Sequence, residues 1–243
     1  MMGMDVTTQE ARRDQIAERL AAVRTRIDAA CAAAGRHDPV TLMVVTKTFP
    51  ASDVVLLREL GVIHVGENRD QEARLKRHDT GDMGLRWHMI GQVQRNKAAS
   101  VARWADVVES MDRLALVEAL SKAALAAERS IDVLVQVNLD PQERPERGGV
   151  NPGGALELAN AVAGAPGLTL RGVMGVAPLP DEGVGADTAF ALLAELRDLI
   201  GARHPMATQM SAGMSGDLEE AIFHGATQVR IGGAVLGSRP PVQ

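Results

Sequence analysis

Lysine is scarce in this chain. Four lysines, Lys47, Lys76, Lys97 and Lys122, stand against 22 arginines. Only lysine carries an amine that can shed its proton and condense with a carbonyl, so each of the four is a candidate for that chemistry. Lys47 closes the apolar run Val44-Val45-Thr46-Lys47-Thr48. At a strand end it is partly desolvated, which favours the neutral amine, although a lysine snorkelling to a barrel rim would read the same way. Lys76 and Lys122 fall on the solvent faces of expected helices, while Lys97, in Gln94-Arg95-Asn96-Lys97, is a candidate ligand group.

Two glycine-bearing junctions near the C-terminus offer the complementary chemistry. They are Ser211-Ala212-Gly213-Met214-Ser215-Gly216-Asp217, where Ser215 suits a helix N-cap, and Arg230-Ile231-Gly232-Gly233-Ala234. Free backbone amides at two adjacent helix starts make an anion cup. Strand alternation aims Arg230 inward, where it needs a partner: a carboxylate such as Glu219 or Glu220, or the ring nitrogen of a ligand. His88, in Trp87-His88-Met89-Ile90-Gly91, reads as a group flanking a bound ring or, more commonly, as a hydrogen-bonded core histidine. The six histidines lack the i,i+4 pairing expected of a metal site. An amine, an anion cup and an arginine between them describe a site for an aldehyde carrying a phosphate. Pyridoxal 5′-phosphate (PLP) has both groups.

Composition removes several alternatives. The chain has no tyrosine, so none of its own phenols can serve as acid, base or nucleophile. A formal charge of −5 gives no basic field for a polyanion, and nucleic acid is not an expected partner. Cys31 is the one cysteine and forms no internal disulfide. The polar start lacks the layout of a secretory signal, and no run of 18 apolar residues occurs, so the expectation is a cytoplasmic protein without a membrane partner.

The elements that must position these groups follow from periodicity. Residues 7–35 read as one amphipathic helix, with a capping box at Thr7 and Glu10, apolar positions at Ile16, Leu20, Val23, Ile27 and Cys31, and a stop at Gly35. Eight short β-branched runs follow, at 41–47, 62–66, 86–91, 106–110, 132–139, 169–177, 206–211 and 227–232. Helical patterns separate them at 52–60, 68–76, 93–103, 113–128, 152–163, 186–202 and 216–224. Strict alternation with eight strands predicts an α/β fold, a single (β/α)8 TIM barrel over 41–239 with an additional N-terminal helix; an open doubly wound sheet is the competitor. Loops 140–149 and 179–185 read as long and mobile, and the whole chain, 1–243, reads as one domain.

The same residues carry a resemblance. Lys47 in its Val-Val-Thr-Lys-Thr run, Gly66-Glu67-Asn68, Trp87-His88-Met89-Ile90-Gly91, Gln94-Arg95-Asn96-Lys97, Arg171-Gly172-Val173-Met174, Gly213-Met214-Ser215 and Val229-Arg230-Ile231-Gly232 together resemble the PLP homeostasis proteins. The resemblance implies a barrel like the N-terminal domain of alanine racemase, with PLP as cofactor held as an imine (Schiff base) on Lys47. It assigns the phosphate to Ser215, Gly232 and Gly233 and the pyridine nitrogen to Arg230, with Asn68, Met174, Ser211 and Met214 as lesser contacts. Gly233 stands where the family commonly has threonine, which removes one hydroxyl from the phosphate; Ala212, Arg69 and Arg147-Gly148-Gly149 also depart from the usual pattern.

The implied function is that of a carrier or regulator of PLP supply, affecting amino-acid and keto-acid balance, with apo PLP-dependent enzymes as recipients and a monomeric state. A PLP-dependent amino-acid racemase or related enzyme of weak activity is the alternative. Racemization needs a second proton-transfer group opposite the lysine, a tyrosine in alanine racemase, and this chain has none. An arginine beside the ring nitrogen also opposes its protonation and weakens the cofactor as an electron sink. A Schiff-base aldolase acting on a sugar phosphate would use Lys47 and the same cup, but leaves Arg230 without a ring to face.

Overall fold

The computed structural model describes residues 6–142, 147–178 and 185–238. The centres of the two long loops and Arg239 lie outside that set. Eight strands, β1 (Thr41–Val45), β2 (His64–Glu67), β3 (Arg86–Met89), β4 (Val107–Met111), β5 (Ile131–Val137), β6 (Leu168–Gly175), β7 (Gln209–Ser211) and β8 (Gln228–Ile231), pair in order. All pairs are parallel, and β1 returns to β8. Closure excludes the open sheet. Helices α2 (Ala51–Glu59), α3 (Asp70–Thr80), α4 (Ala98–Trp104), α5 (Leu114–Ala126), α6 (Ala155–Ala163), α7 (Ala186–Gly201) and α8 (Leu218–Phe223) connect successive strands.

A four-residue helix, α9 (Gly233–Leu236), follows β8 and was not among the expected helices, because one turn gives no periodicity to read. Helix α1 (Val6–Ala33) begins before Thr7, so Thr7 lies within its first turn and does not cap it. Its end follows the sequence expectation. Gly35 takes a left-handed φ of +65°, the amide of Arg36 bonds the Cys31 carbonyl at 2.9 Å, and that of Gly35 bonds Ala32 at 3.1 Å.

Helix α1 buries Ile16, Leu20, Val23 and Ile27 in the main core, each worth roughly 1.5–3 kcal/mol, while Cys31 is only partly covered. Arg12 fixes it laterally through Asp53 of α2 at 2.5 and 3.0 Å and the Leu236 carbonyl of α9 at 3.0 Å. Arg26 pairs with Glu219 of α8. The helix thus braces the segments flanking β8.

Strand alternation separates two interiors. Val44, Val65, Val108, Val133, Val173 and Val229 face the helices in the main core, whereas Val107, Leu134 and Met174 form a smaller apolar cluster inside the barrel. Polar side chains fill much of the remaining barrel interior. No helix among the described residues is long and apolar enough to cross a membrane.

Candidate functional site

A parallel barrel places the C-terminal ends of all its strands on one face. Lys47 lies two residues past β1 and is half-buried. On the neighbouring strand β8, Val44 is in register with Ile231, and a Cβ built on Gly232 would lie 3.3 Å from the Val45 carbonyl oxygen. The lysine and the glycine loop are therefore brought to adjacent strand ends. The α9 amides of Val235 and Leu236 already bond the Gly232 carbonyl, leaving those of Gly233 and Ala234 at the open helix start. Space within 4 Å of a Gly233 Cβ is empty.

The loop after β7 differs from its sequence reading. Helix α8 starts at Leu218, with Asp217 at its N-cap position, so Ser215 is not the cap. Asp217 Oδ1 accepts the Met214 amide at 2.6 Å, and the Ser215 carbonyl accepts Arg26 Nη1 at 2.7 Å. Met214 and Ser215 are both exposed at the rim. Gly213 has φ +90°, and its carbonyl accepts the Arg230 amide at 2.9 Å, which joins this loop to β8.

Arg230 is buried, at 5% exposure, and its partners are not Glu219 or Glu220. Nη1 donates to Ser211 Oγ at 2.8 Å and Nη2 to the Gly175 carbonyl at 2.8 Å. Glu219 is instead taken by Arg26. The charge opposite Arg230 is Glu109 of β4, which is fully buried and accepts the Ser211 hydroxyl at 2.7 Å and Gln228 Nε2 at 2.7 Å. Burial alone would raise the Glu109 carboxyl, yet His88, Arg230 and Ser211 together hold it below its ordinary value. Burial likewise draws Arg230 below the usual arginine value, while Glu109 and Asp217 oppose that fall.

His88 belongs to this network. Its Nδ1 donates to Glu109 Oε1 at 2.7 Å, and its Nε2 meets His64 Nδ1 at 2.9 Å. Below His64 the N-terminal mouth of the barrel opens into a cavity of about 320 Å³ lined by Thr41, Arg86, Asp132, Arg171 and Gln228. Asp132 bridges the two arginines there. Glu109 was not singled out from sequence, although a carboxylate at an inward position of a buried strand carries a signal, since it must find compensating donors.

The other expected residues divide into two groups. Met174 pairs in register with Ser211 and lines the barrel interior with Val107 and Leu134. Asn68 sits at the rim directly over Gly91, where any Cβ would fall 2.1 Å from the Asn68 carbonyl oxygen. Lys97 is exposed in a groove it shares with Asp70 and Arg74, and Lys122 is exposed. Lys76 reverses its expectation: it is buried at 6% exposure because three oxygens converge on its ammonium.

Fold and site together define a single closed barrel with an amine at the end of its first strand, a buried arginine in its last, and open helix-start amides between them. Residues 19–240 match the family described as alanine racemase, N-terminal domain. The chain is 41% identical over 262 residues to a pyridoxal phosphate homeostasis protein of Mycobacterium tuberculosis, covering 98% of both chains. It superposes on PipY of Synechococcus elongatus with PLP bound, at a TM-score of 0.76 and 30% identity over 91% of this chain and all of that one. Alanine racemase of Clostridium difficile shares the fold at a TM-score of 0.72 and 13% identity, and the match spans 58% of that chain. This chain belongs to the pyridoxal phosphate homeostasis proteins within the alanine racemase N-terminal domain family.

Proposed function

We propose that the protein binds PLP and serves its homeostasis as a carrier or buffer, with Lys47 as the covalent attachment point. The observation that carries this reading is the placement of Lys47 just past the end of β1 and of Arg230 on the neighbouring strand β8, with Gly232 and Gly233 at the rim. The donor set fits the group: an amine for the aldehyde, a guanidinium for the ring nitrogen, and helix-start amides for the phosphate. When bound, PLP supplies an aldehyde that joins an amine reversibly.

Each residue then has a distinct task. Lys47 offers the amine. Arg230 is held by Ser211 and the Gly175 carbonyl, and it presents a fixed cation that disfavours a protonated ring nitrogen. The hydroxyl of Ser211 gives its hydrogen to Glu109 and accepts from Arg230 and Gln228, so it acts on the ligand through Arg230. Gly232, Gly233 and Ser215 receive the phosphate, Met174 walls the ring side, and Asn68 and Met214 stand at the rim.

A carrier is favoured over a racemase by the missing tyrosine and by the cation at the ring nitrogen. We further propose a cytoplasmic monomer that passes PLP to apo-enzymes. Purified protein mixed with PLP is expected to develop a visible band that disappears on borohydride reduction, with the added mass at Lys47. A Lys47→Ala chain that keeps the same band overturns the assignment. Robust amino-acid racemization by the wild-type chain overturns the carrier reading.

A further inference from the structure

Lys76 has no place in the site just described, yet it is buried and its ammonium is held by three oxygens. Its ammonium donates to the Thr46 carbonyl at 2.7 Å, to Glu67 Oε1 at 2.8 Å and to Glu72 Oε1 at 2.6 Å. Three protons meet three acceptors, so its donor capacity is used up. Thr46 immediately precedes Lys47, and its hydroxyl donates to Glu67 Oε1 at 2.5 Å. Thr48 immediately follows Lys47, and its amide donates to Glu72 Oε1 at 2.5 Å. Both neighbours of Lys47 are thus tied to one charged cluster on the outer side of the barrel wall.

The backbone at Thr48 gives the cluster a purpose. Its φ is +72°, a left-handed conformation that a β-branched residue adopts only under constraint from its surroundings. Glu72 and Lys76 are four apart on α3, so one helix face carries both ends of the clamp. Burial of the cluster is costly. Glu67 Oε2 is buried without a hydrogen-bond partner, and burial pushes the Glu67 carboxyl up against the pull of Lys76. A well-packed apolar cluster would fill this space at least as stably, so stability alone is a poor reason for the charges.

We propose that Glu72 and Lys76 are positioning residues for Lys47, gripping the peptide on both sides of it and holding Thr48 left-handed so that the amine leaves the rim in one direction. The proposal rests on Lys47 being the attachment point. Lys76 itself acts only through Thr46 and Thr48. Without the clamp the backbone at Thr48 relaxes toward extended conformations, and Lys47 spends less time in the geometry that reaches a bound aldehyde.

The test compares Glu72→Ala and Glu72→Gln in the full chain. The Glu72 side chain is 26% exposed, so neither change leaves a large hole. Two quantities are read: hydrogen exchange of the Thr48 amide without PLP, and the rate at which the borohydride-reducible band appears with excess PLP. Glu72→Ala is expected to speed Thr48 exchange about tenfold, the loss of one charge-assisted bond, and to slow band formation about fivefold or more. Glu72→Gln keeps an acceptor for Thr48 and is expected to stay within about twofold of wild type. Unchanged exchange and rate in Glu72→Ala overturn the proposal, as does a slowing matched by equal loss of protection at barrel amides such as Val44. If wild type forms no bond at Lys47, the attachment reading fails, while Thr48 exchange still decides the clamp.

Discussion

Arg230 and Glu109 lie on opposite sides of one hydroxyl. Ser211 Oγ accepts from the guanidinium at 2.8 Å and donates to the carboxylate at 2.7 Å, all three groups being buried. The single hydroxyl hydrogen can point only to Glu109, so the polarity of the bridge is fixed and the arginine keeps its charge and its aim. The cation proposed to face the cofactor is therefore held by a strand on the far side of the barrel.

Removing the bridge is expected to cost both stability and affinity. Ser211→Ala strips a partner from Arg230, Glu109 and Gln228 and is predicted to destabilise the fold by about 1–3 kcal/mol. Glu109→Gln leaves Arg230 with less compensation and is predicted to cost about 3–5 kcal/mol. Urea unfolding reads both, and the Kd for PLP is expected to rise in each. Ser211→Ala with unaltered stability and unaltered Kd contradicts the bridge.

Acid is predicted to act through the histidine pair. Burial, then the nearby His88 and Arg86, which disfavour a further positive charge, lower His64 to about 4. An unfolded histidine titrates near 6.5, so between about 6.5 and 4 the unfolded chain binds more protons than the folded one. Stability is expected to fall as pH drops through that window, by about 2 kcal/mol after allowance for solvent screening. His64→Gln is expected to flatten this part of the pH–stability profile; an identical slope would remove His64 as its source.

Gly233 offers a gain-of-binding test. Its Cβ position has no atom within 4 Å, so Gly233→Thr has room and adds a hydroxyl at the proposed phosphate site. One added hydrogen bond to a phosphate is worth about 1.5 kcal/mol, or about tenfold in affinity. Calorimetric titration with PLP is expected to show tighter binding. Weaker binding would place the phosphate elsewhere.

Gly91 tests how the rim is supported. A methyl there would overlap the Asn68 carbonyl, 2.1 Å away, and backbone cannot swing aside as a side chain can. Gly91→Ala is predicted to destabilise by about 1–3 kcal/mol and to displace Asn68. A melting temperature equal to that of wild type would show that this contact is looser than described.

Much of the molecule is legible in its residue order. Alternating β-branched and helical runs identify all eight strands and the seven connecting helices, because parallel strands buried on both faces read as short apolar runs while helices buried on one face carry a period of 3.6. Strand ends shift by a few residues. Lys47 and the two glycine junctions are visible because a charge at the end of an apolar run and glycine at a strand-to-helix turn are local signals.

Partnership across the barrel leaves no such trace. Arg230 reads equally well with Glu219 or Glu220, yet closure through β1 and β8 brings β4 across the interior and gives it Glu109, 121 positions away in sequence through Ser211. Lys76 reads as a solvent-facing helix residue, and only the docking of α3 against β1 and β2 buries it among Thr46, Glu67 and Glu72. The sequence by itself determined the elements, their order and the position of the candidate amine, since these depend on neighbours a few residues apart. Tertiary structure alone decided which charges face one another, because ring closure sets distances between strands that the chain does not make adjacent.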